Sequence, residues 1–402
     1  MNRVILHLDL DAFFCAVEEQ HDPGLVGRAF AVGGRPEERG VVASCSYAAR
    51  RFGVHSAMPM ARALKICPDL LIIGSRHGVY GDVSRLVMQR LWALTDQIEQ
   101  VSIDEAFLDV SALSEPGPAL ALRLQETIRN ELGLPCSLGV ASNKLVAKIA
   151  NDVGKAGAKK MDPPGPPNAI TVVPAGQEAE FLAPLPVRAL WGVGPKTEAR
   201  LAEIGVTTIA ELAAWPEEDL TRRFGKHGQE LAQRARGIDD SPIVTSHVAK
   251  SVSQETTFAR DLRDQTLLQQ TLSELSEGVA RQLEQAGLCC QTVKLKLRWA
   301  DFSTITRQTS LDKPTQDAKV IYKTVSDLFL KSWTPPRPVR LLGVGASGLQ
   351  EQEQSREGYH QLALWEADPL KDQRLQDTID SLRQRFGEHA VKLGKNPPKQ
   401  KS

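Results

Sequence analysis

Apolar positions along the chain fall into short runs and periodic stretches that predict strands alternating with helices. Val4 to Leu10 has the pattern of a buried strand and runs straight into a helix over Asp11-Ala-Phe-Phe-Cys-Ala-Val-Glu18. Val41 to Ser46 predicts a short strand. Tyr47 to Leu64 predicts a helix interrupted at Phe52-Gly53, and Tyr80 to Leu94 a longer amphipathic one. Ile98 to Val110 predicts two strands around a turn. Pro118 to Leu132 predicts a helix, Cys136 to Ala141 a strand and Asn143 to Val153 a helix. This β-α-β-β-α-β order suggests a ferredoxin-like α+β core with residues 12 to 76 as an elaboration.

Beyond that core, Met161-Asp-Pro-Pro-Gly-Pro-Pro167 is a breaker cluster and marks a boundary. Phe181 to Gly237 predicts a small all-α unit of short helices separated by glycines, and Ile238 to Lys250 a mixed linker. Strands and helices then alternate again from Ser251 to Gly345. Leu267 to Ala286 and Ala318 to Leu330 predict helices, and Gln291 to Trp299 a strand. The last stretch, rich in Gln, Glu and Lys, predicts a tail. One amphipathic piece interrupts it, with Leu375, Ile379, Leu382 and Phe386 at helical spacing.

Composition adds bounds. At about 100–200 residues per domain, 402 residues make two to four domains. A hydrophobic fraction of 42% with 24% charged residues is ordinary for a globular protein. No window approaches the ~18 apolar residues of a membrane span, and Asp9 interrupts the N-terminal apolar run, so a cytosolic protein is expected. None of the 6 cysteines forms a C-x-x-C pair, which fits reduced thiols packed as small hydrophobes. Net charge is zero, 49 basic against 49 acidic residues, so nucleic acid is not indicated globally. Locally it is: residues 241–348 carry 14 basic and 10 acidic side chains, a surplus of four.

Three carboxylates stand out by position. Asp9 ends the first strand, and Asp104 and Glu105 sit at the turn in Ser102-Ile103-Asp104-Glu105-Ala106-Phe107. Carboxylates beside apolar strand ends carry a desolvation cost that a bound cation offsets. Magnesium suits such a site because it takes few carboxylates and completes its shell with phosphate oxygens and water.

Four motifs follow in order. They are Leu8-Asp9-Leu10-Asp11-Ala12-Phe13-Phe14-Cys15-Ala16-Val17-Glu18; the segment Val42 to Gly53 with Tyr47-Ala48-Ala49-Arg50; Ser102-Ile103-Asp104-Glu105-Ala106-Phe107-Leu108-Asp109; and Gly139 to Ala150 with Asn143-Lys144 and Ala147-Lys148. Together they resemble the Y-family DNA polymerases, in particular the DNA polymerase IV branch, over about residues 3 to 365.

The resemblance implies a right-hand polymerase. Its palm would be residues 1–11 and 77–165, its fingers 12–76 and its helix-hairpin-helix thumb 166–237. A linker would span 238–250, a little finger 251–348 and a tail 349–402. It implies low-fidelity, template-directed DNA synthesis on primer-template DNA from dNTPs, for translesion synthesis, with two Mg2+ ions and no proofreading exonuclease. Asp9 and Asp104 would hold both ions, Glu105 would complete the site, and Leu10 would lend a carbonyl. Asp11 and Asp109 would lie outside. Ser44, Tyr47, Arg50 and Lys155 would bind the triphosphate, although the loop after Lys155 lacks the family's usual proline. Phe14 would lie under the sugar and exclude a 2′-hydroxyl, while Ala43 and Ala57 would leave room over the base pair.

Contacts with DNA are expected at two places. Leu190-Trp-Gly192-Val193-Gly194-Pro195-Lys196 resembles a helix-hairpin-helix, whose glycines let backbone approach phosphate. In Val293 to Trp299, alternation puts Lys294, Lys296 and Arg298 on one strand face, a phosphate track. Gln361-Leu362-Ala363-Leu364-Trp365 resembles the bacterial sliding-clamp-binding peptide, which makes the clamp an expected partner of a monomeric enzyme. Two other readings stand beside this one: a nucleotidyl cyclase on the same kind of core, and a non-catalytic relative serving as an assembly scaffold.

Overall fold

The computed structural model describes residues 3–156, 164–246, 248–351 and Thr378. The clamp-like peptide Gln361–Trp365 and the Leu375, Ile379, Leu382 and Phe386 stretch lie outside the described residues.

The chain begins with β1 (Ile5–Leu10) and α1 (Phe13–His21), then β2 (Phe30–Gly33), β3 (Val42–Cys45), α2 (Tyr47–Arg51), α3 (Met60–Ile66) and β4 (Leu71–Ile73). It continues with α4 (His77–Trp92), β5 (Ile98–Gln100), β6 (Glu105–Asp109), α5 (Gly117–Leu132), β7 (Cys136–Ala141), α6 (Lys144–Ala156) and β8 (Ile170–Val172). Strand order β5-β6-β1-β7-β8 puts β1 at the centre, with β6 and β7 antiparallel to it. The first four strands of that order have the ferredoxin-like arrangement, and β8 adds a parallel edge.

Alternation along β1 sorts its side chains to two faces. Leu6, Leu8 and Leu10 are buried against Val87, Met88 and Leu91 of α4 and Leu120, Leu124 and Ile128 of α5. Burial of each such leucine contributes about 1.5–3 kcal/mol. Ile5 points the other way, with Phe107, into a core shared with Leu145, Val146 and Ile149 of α6. His7 and Asp9 fall on that second face, under α6. The helix comes very close to β7 there: a Cβ on Gly139 would sit 1.8 Å from the carbonyl oxygen of Ala147. Glycine at 139 is therefore what lets α6 bring its polar side chains down to the strand ends.

Three differences from the sequence pattern concern the fingers. The expected interruption at Phe52-Gly53 is there but extends to Pro59, which leaves two short helices, α2 and α3. Gly53 at φ 88 and Ala57 at φ 66 turn the chain between them, and Val41 bridges Pro59. A three-stranded sheet, β3-β2-β4, was not foreseen beyond β3. The first helix also starts later than expected, because Ala12 is left-handed at φ 49 and turns the chain sharply between Asp11 and Phe13.

The thumb comprises α7 (Glu178–Leu182), α8 (Pro195–Ala202), α9 (Ile209–Ala214), α10 (Glu217–Phe224) and α11 (Lys226–Ala235). Leu190, Leu201, Ile209 and Leu212 are buried in the core that also holds α6. A capping box starts α9: Thr208 accepts from the Glu211 N–H, and backbone N–H groups of Thr207 and Thr208 hold the Glu211 carboxyl down at about 2.

The little finger repeats a β-α-β-β-α-β order with β9 (Ser251–Leu262), α12 (Gln265–Gln285), β10 (Leu288–Trp299), β11 (Thr304–Thr315), α13 (Ala318–Ser332) and β12 (Val339–Glu351). Its sheet order is β11-β10-β12-β9. Both helices cover one face over Val293, Leu295, Leu297 and Trp299. No described helix is long and apolar enough to cross a membrane.

Candidate active site

Pairing of β1 with β6 sets Asp9 directly opposite Glu105. The Leu10 N–H donates to the Asp104 carbonyl at 2.9 Å, which fixes the turn carrying Asp104 against the strand end carrying Asp9. The Ser102 hydroxyl donates to the Asp104 carboxylate. The three expected carboxylates thus meet at one corner of the sheet.

Their electrostatics are strained. Burial, with Asp104 and Glu105 nearby, pushes the Asp9 carboxyl up to about 6, even though Lys155 opposes the shift. Burial also acts to raise Glu105, but hydrogen bonds with His7 and Lys148 outweigh it and hold that carboxyl at about 2. Lys148 Nζ donates to Glu105, and Lys155 Nζ lies 2.5 Å from Asp9 and 3.3 Å from Asp11. Two ammonium groups thus offset part of the corner's negative charge.

His7, Lys148 and Asn151 were missed by the sequence reading. Burial lowers the pKa of His7, favouring the neutral ring. Its Nε2 is 2.5 Å from Glu105 and its Nδ1 is 3.0 Å from Asn151 Nδ2. The network assigns the ring proton to Nε2, which donates to the carboxylate, while Nδ1 accepts. Two signals could have found these residues: His7 lies two positions before Asp9 on the same strand face, and Lys144, Lys148 and Lys155 recur at helical spacing along α6. Asp11 is buried instead, accepting from the Ser137 hydroxyl at 2.8 Å and the Asn168 N–H at 3.1 Å. Asp109 lies at the far end of β6, opposite Ile5.

A cavity of about 800 Å³ opens beside the acidic corner, lined by Asp9, Leu10, Asp104, Phe14, Ser44, Tyr47, Arg50 and Lys155. Arg50 sits over the Tyr47 ring at 4.5 Å and its Nε donates to the Cys45 carbonyl at 3.2 Å. The Ser46 hydroxyl caps α2 by accepting from the Ala49 N–H. Burial pushes the Tyr47 hydroxyl well above its ordinary pKa. Ala43 lines the cavity and Ala57 does not; His55 and Ser56 do, which the sequence reading did not anticipate.

Phe13 is buried in the core and Phe14 is partly exposed; both line the cavity. The Phe14 ring stacks on Tyr80 at 4.2 Å and 12°. Tyr80 is itself pinned, its hydroxyl donating to Glu18 at 2.6 Å, and Arg76 holds Glu18 from outside with an Nε contact of 3.0 Å. Nothing in the sequence pattern marks Tyr80, since its partners are 62 and 66 positions away.

The chemistry of the donor set decides which ion suits the corner. Among the described residues no three His, Cys, Asp or Glu side chains converge into a ready-made metal cage. Magnesium needs none, because it is held by one or two carboxylates plus substrate phosphates. All-oxygen donors, a destabilised Asp9 and two lysines standing on the carboxylates fit a hard cation.

On the little finger, Lys294, Lys296 and Arg298 share the face away from α12 and α13. They are less free than the alternation suggests. Lys296 Nζ reaches Glu255 at 2.6 Å, across Gly343, where a Cβ would stand 3.3 Å from that of Lys296. Arg298 Nε donates to the Thr304 hydroxyl at 2.9 Å. In the thumb, Gly192 is left-handed at φ 99, Gly194 caps α8 and Lys196 is in its first turn.

Comparison with known proteins gives this architecture its place. The impB/mucB/samB family profile matches residues 8–152, that of the family's C-terminal domain 249–364, and that of its helix-hairpin-helix motif 176–206. A DNA polymerase IV of Dehalococcoides mccartyi is 38% identical over 399 residues, covering 98% of this chain and 97% of the relative. One from Methanoculleus marisnigri is 42% identical over 87% of this chain and 95% of the relative. One from Listeria monocytogenes is 39% identical over 87% and 96%. The solved Y-family polymerase chimera of Dbh and Dpo4 aligns with a TM-score of 0.76 at 24% identity, covering 87% of this chain and 99% of that one. An insertion ternary complex of Dbh DNA polymerase aligns at 0.61 and 25% identity, covering 86% and 98%. The fold is that of the Y-family polymerases. Within them, the chain belongs to the impB/mucB/samB family, on the DNA polymerase IV branch.

Proposed function

We propose that the chain is a low-fidelity, template-directed DNA polymerase that extends a primer 3′ end by two-metal phosphoryl transfer and serves translesion synthesis. The observation that carries this reading is the meeting of Asp9, Asp104 and Glu105 at the mouth of a cavity lined by Tyr47, Arg50 and Phe14. Bound there, two magnesium ions would supply Lewis-acid activation of the primer hydroxyl and neutralise the leaving pyrophosphate. Asp9 and Asp104 would hold both, with Glu105 and the Leu10 carbonyl completing the set. Tyr47 and Arg50, stacked on one another, present a hydroxyl and a guanidinium to the triphosphate, with Ser44 beside them. Lys155 leaves Asp9 and Asp11 for phosphate oxygens when nucleotide enters. Phe14, backed by Tyr80, lies under the sugar.

A nucleotidyl cyclase would need neither the hairpin thumb nor the little-finger sheet, and a bare scaffold would not need the three carboxylates. The deciding assay is primer extension on four templates differing only at the templating base. Addition that follows the template base is the expected result; untemplated or absent addition refutes the reading.

The little-finger track gives a further test. Replacing Lys294, Lys296 and Arg298 by alanine should weaken primer-template binding equally for unrelated sequences. Each phosphate contact contributes about −0.9 to the slope of log K against log salt. With Lys296 shared with Glu255, the slope should flatten by about 2 rather than 3. A loss confined to particular sequences would mean base readout instead.

The same reading extends to the tail. Gln361, Leu362, Leu364 and Trp365 form a short peptide for an apolar pocket on a sliding clamp, with an affinity of about 1–10 μM. Tethering raises local concentration at the primer end without adding contacts in the active site. Deleting 361–365 should spare basal addition on a short primer and abolish stimulation by a DNA-loaded clamp. Full stimulation of the deletion variant would remove the motif from this role.

A further inference from the structure

The Gly139–Ala150 motif contains two residues that the chemistry above leaves unused. Asn143 and Lys144 are buried at the start of α6. Asn143 caps its own helix, Oδ1 accepting from the Val146 N–H at 2.9 Å, while its Nδ2 donates to the Gly237 carbonyl at 2.9 Å. Lys144 Nζ lies 2.6 Å from Glu99 and 3.3 Å from the Pro242 carbonyl. Glu99, on β5, also accepts from the Val244 N–H at 2.8 Å. Asp239 accepts from the Leu145 N–H at 3.0 Å, so the chain after the thumb supplies a second cap to α6. Arg3 donates to the Ser241 carbonyl at 2.7 Å. Five positions between Gly237 and Val244 are therefore bonded to the palm. Beyond them Thr245, Ser246 and residues 248–250 are exposed.

We propose that Asn143, Lys144 and Glu99 form a clasp that docks the first half of the thumb-to-little-finger linker on the palm, so that the little finger meets DNA from a fixed point. The inference rests on the polymerase reading only for its DNA-binding consequence; the docking itself is a property of the free chain. The sequence reading took 238–250 as one linker. The geometry docks its first half and leaves a chain length of six residues, 245–250, between the last docked position and β9 as the tether. Opening the clasp would lengthen that tether to the thirteen residues 238–250. Effective concentration falls roughly as the −3/2 power of tether length, so the little finger's contribution to DNA binding should drop about threefold. The Lys144–Glu99 pair is almost fully enclosed, at 6% and 11% side-chain exposure. An enclosed pair of this kind specifies geometry more than it adds stability, which suits a docking point. Because Asp239 caps the helix that carries Lys148 and Lys155, the docked half also steadies the active-site cations.

The test compares Asp239→Ala, Asp239→Asn, Lys144→Met and an insertion of four Gly/Ser residues after Lys250. Hydrogen exchange on the free protein reads docking directly. The Val244 amide, which donates to Glu99, should be protected in the native chain and in Asp239→Asn, whose one remaining oxygen can still accept from the Leu145 N–H, and should exchange fast in Asp239→Ala and Lys144→Met. Primer-template Kd should rise about threefold in Asp239→Ala and Lys144→Met and about twofold in the insertion variant. The single-turnover rate at saturating DNA should stay native in Asp239→Asn and in the insertion variant. Native exchange and native Kd in both Asp239→Ala and Lys144→Met would overturn the clasp, as would a Kd loss in the insertion variant alone. Should Lys144→Met fail to fold, the Asp239 pair still decides, because it touches no buried charge. If the native chain binds no primer-template DNA the polymerase reading fails, while the exchange result still judges the docking.

Discussion

An Asp104→Asn enzyme should bind primer-template DNA with native affinity and lose nucleotide addition by about 10³-fold or more. The substitution keeps the size of the side chain and the Ser102 contact within reach, so the turn joined to Leu10 should hold its shape. What it removes is one negative charge from a corner where burial, despite Lys155, already pushes Asp9 up to about 6. Metal-assisted stabilisation of transition-state charge is several kcal/mol, and three decades correspond to about 4 kcal/mol. Single-turnover extension beside fluorescence anisotropy on the same DNA separates the two effects. An Asp104→Asn enzyme that extends at the native rate would mean the carboxylates are misassigned. The melting temperature in chelator should not fall, because the change relieves repulsion among Asp9, Asp104 and Glu105.

Phe14→Ala should make the enzyme accept ribonucleotides, with the rNTP-to-dNTP efficiency ratio rising about 10²-fold. A hydroxyl forced against a packed ring costs about 1–3 kcal/mol of overpacking, and the upper end of that range gives about two decades. The ring is held from behind, stacked on Tyr80, whose hydroxyl is bonded to Glu18. Tyr80→Ala should therefore relax the same discrimination, but less, because Phe14 remains present and only loses its backing. Deoxynucleotide addition by Phe14→Ala should fall modestly. An unchanged ratio in single-turnover assays would take the sugar-gate role away from Phe14.

The parts legible in the sequence are those set by one stretch of chain. β1 and β7 declared themselves by continuous apolar runs, and α5 and α6 by their length. The acidic corner was legible because Asp9 and Asp104-Glu105 stand at the ends of such runs. The strands that escaped notice, β2, β4 and β8, have three or four residues each and exist only through pairing with partners far along the chain. The break between α2 and α3 was legible at Phe52-Gly53, but its extension to Pro59 was not, because Ala57 takes a left-handed conformation that its residue type does not announce. At the site, Tyr47, Arg50 and Phe14 line the cavity with Asp9 and Asp104, whereas Lys148 on Glu105 and Tyr80 under Phe14 are contacts over 43 and 66 positions. The basic face of β10 was legible by alternation, but its partial neutralisation by Glu255 depends on a glycine in an intervening strand. Packing between distant segments, rather than local pattern, decides all of these.

The most direct measurement is an anomalous-scattering map from crystals of the native enzyme with primer-template DNA, a non-hydrolysable dNTP and Mn2+ in place of Mg2+. The account predicts two peaks about 4 Å apart, both touching Asp9 and Asp104, with Glu105 on the one nearer the primer 3′ end and Lys155 moved from Asp9 to phosphate oxygens. Absence of metal density between Asp9 and Asp104 in a complex with DNA and nucleotide bound would contradict it.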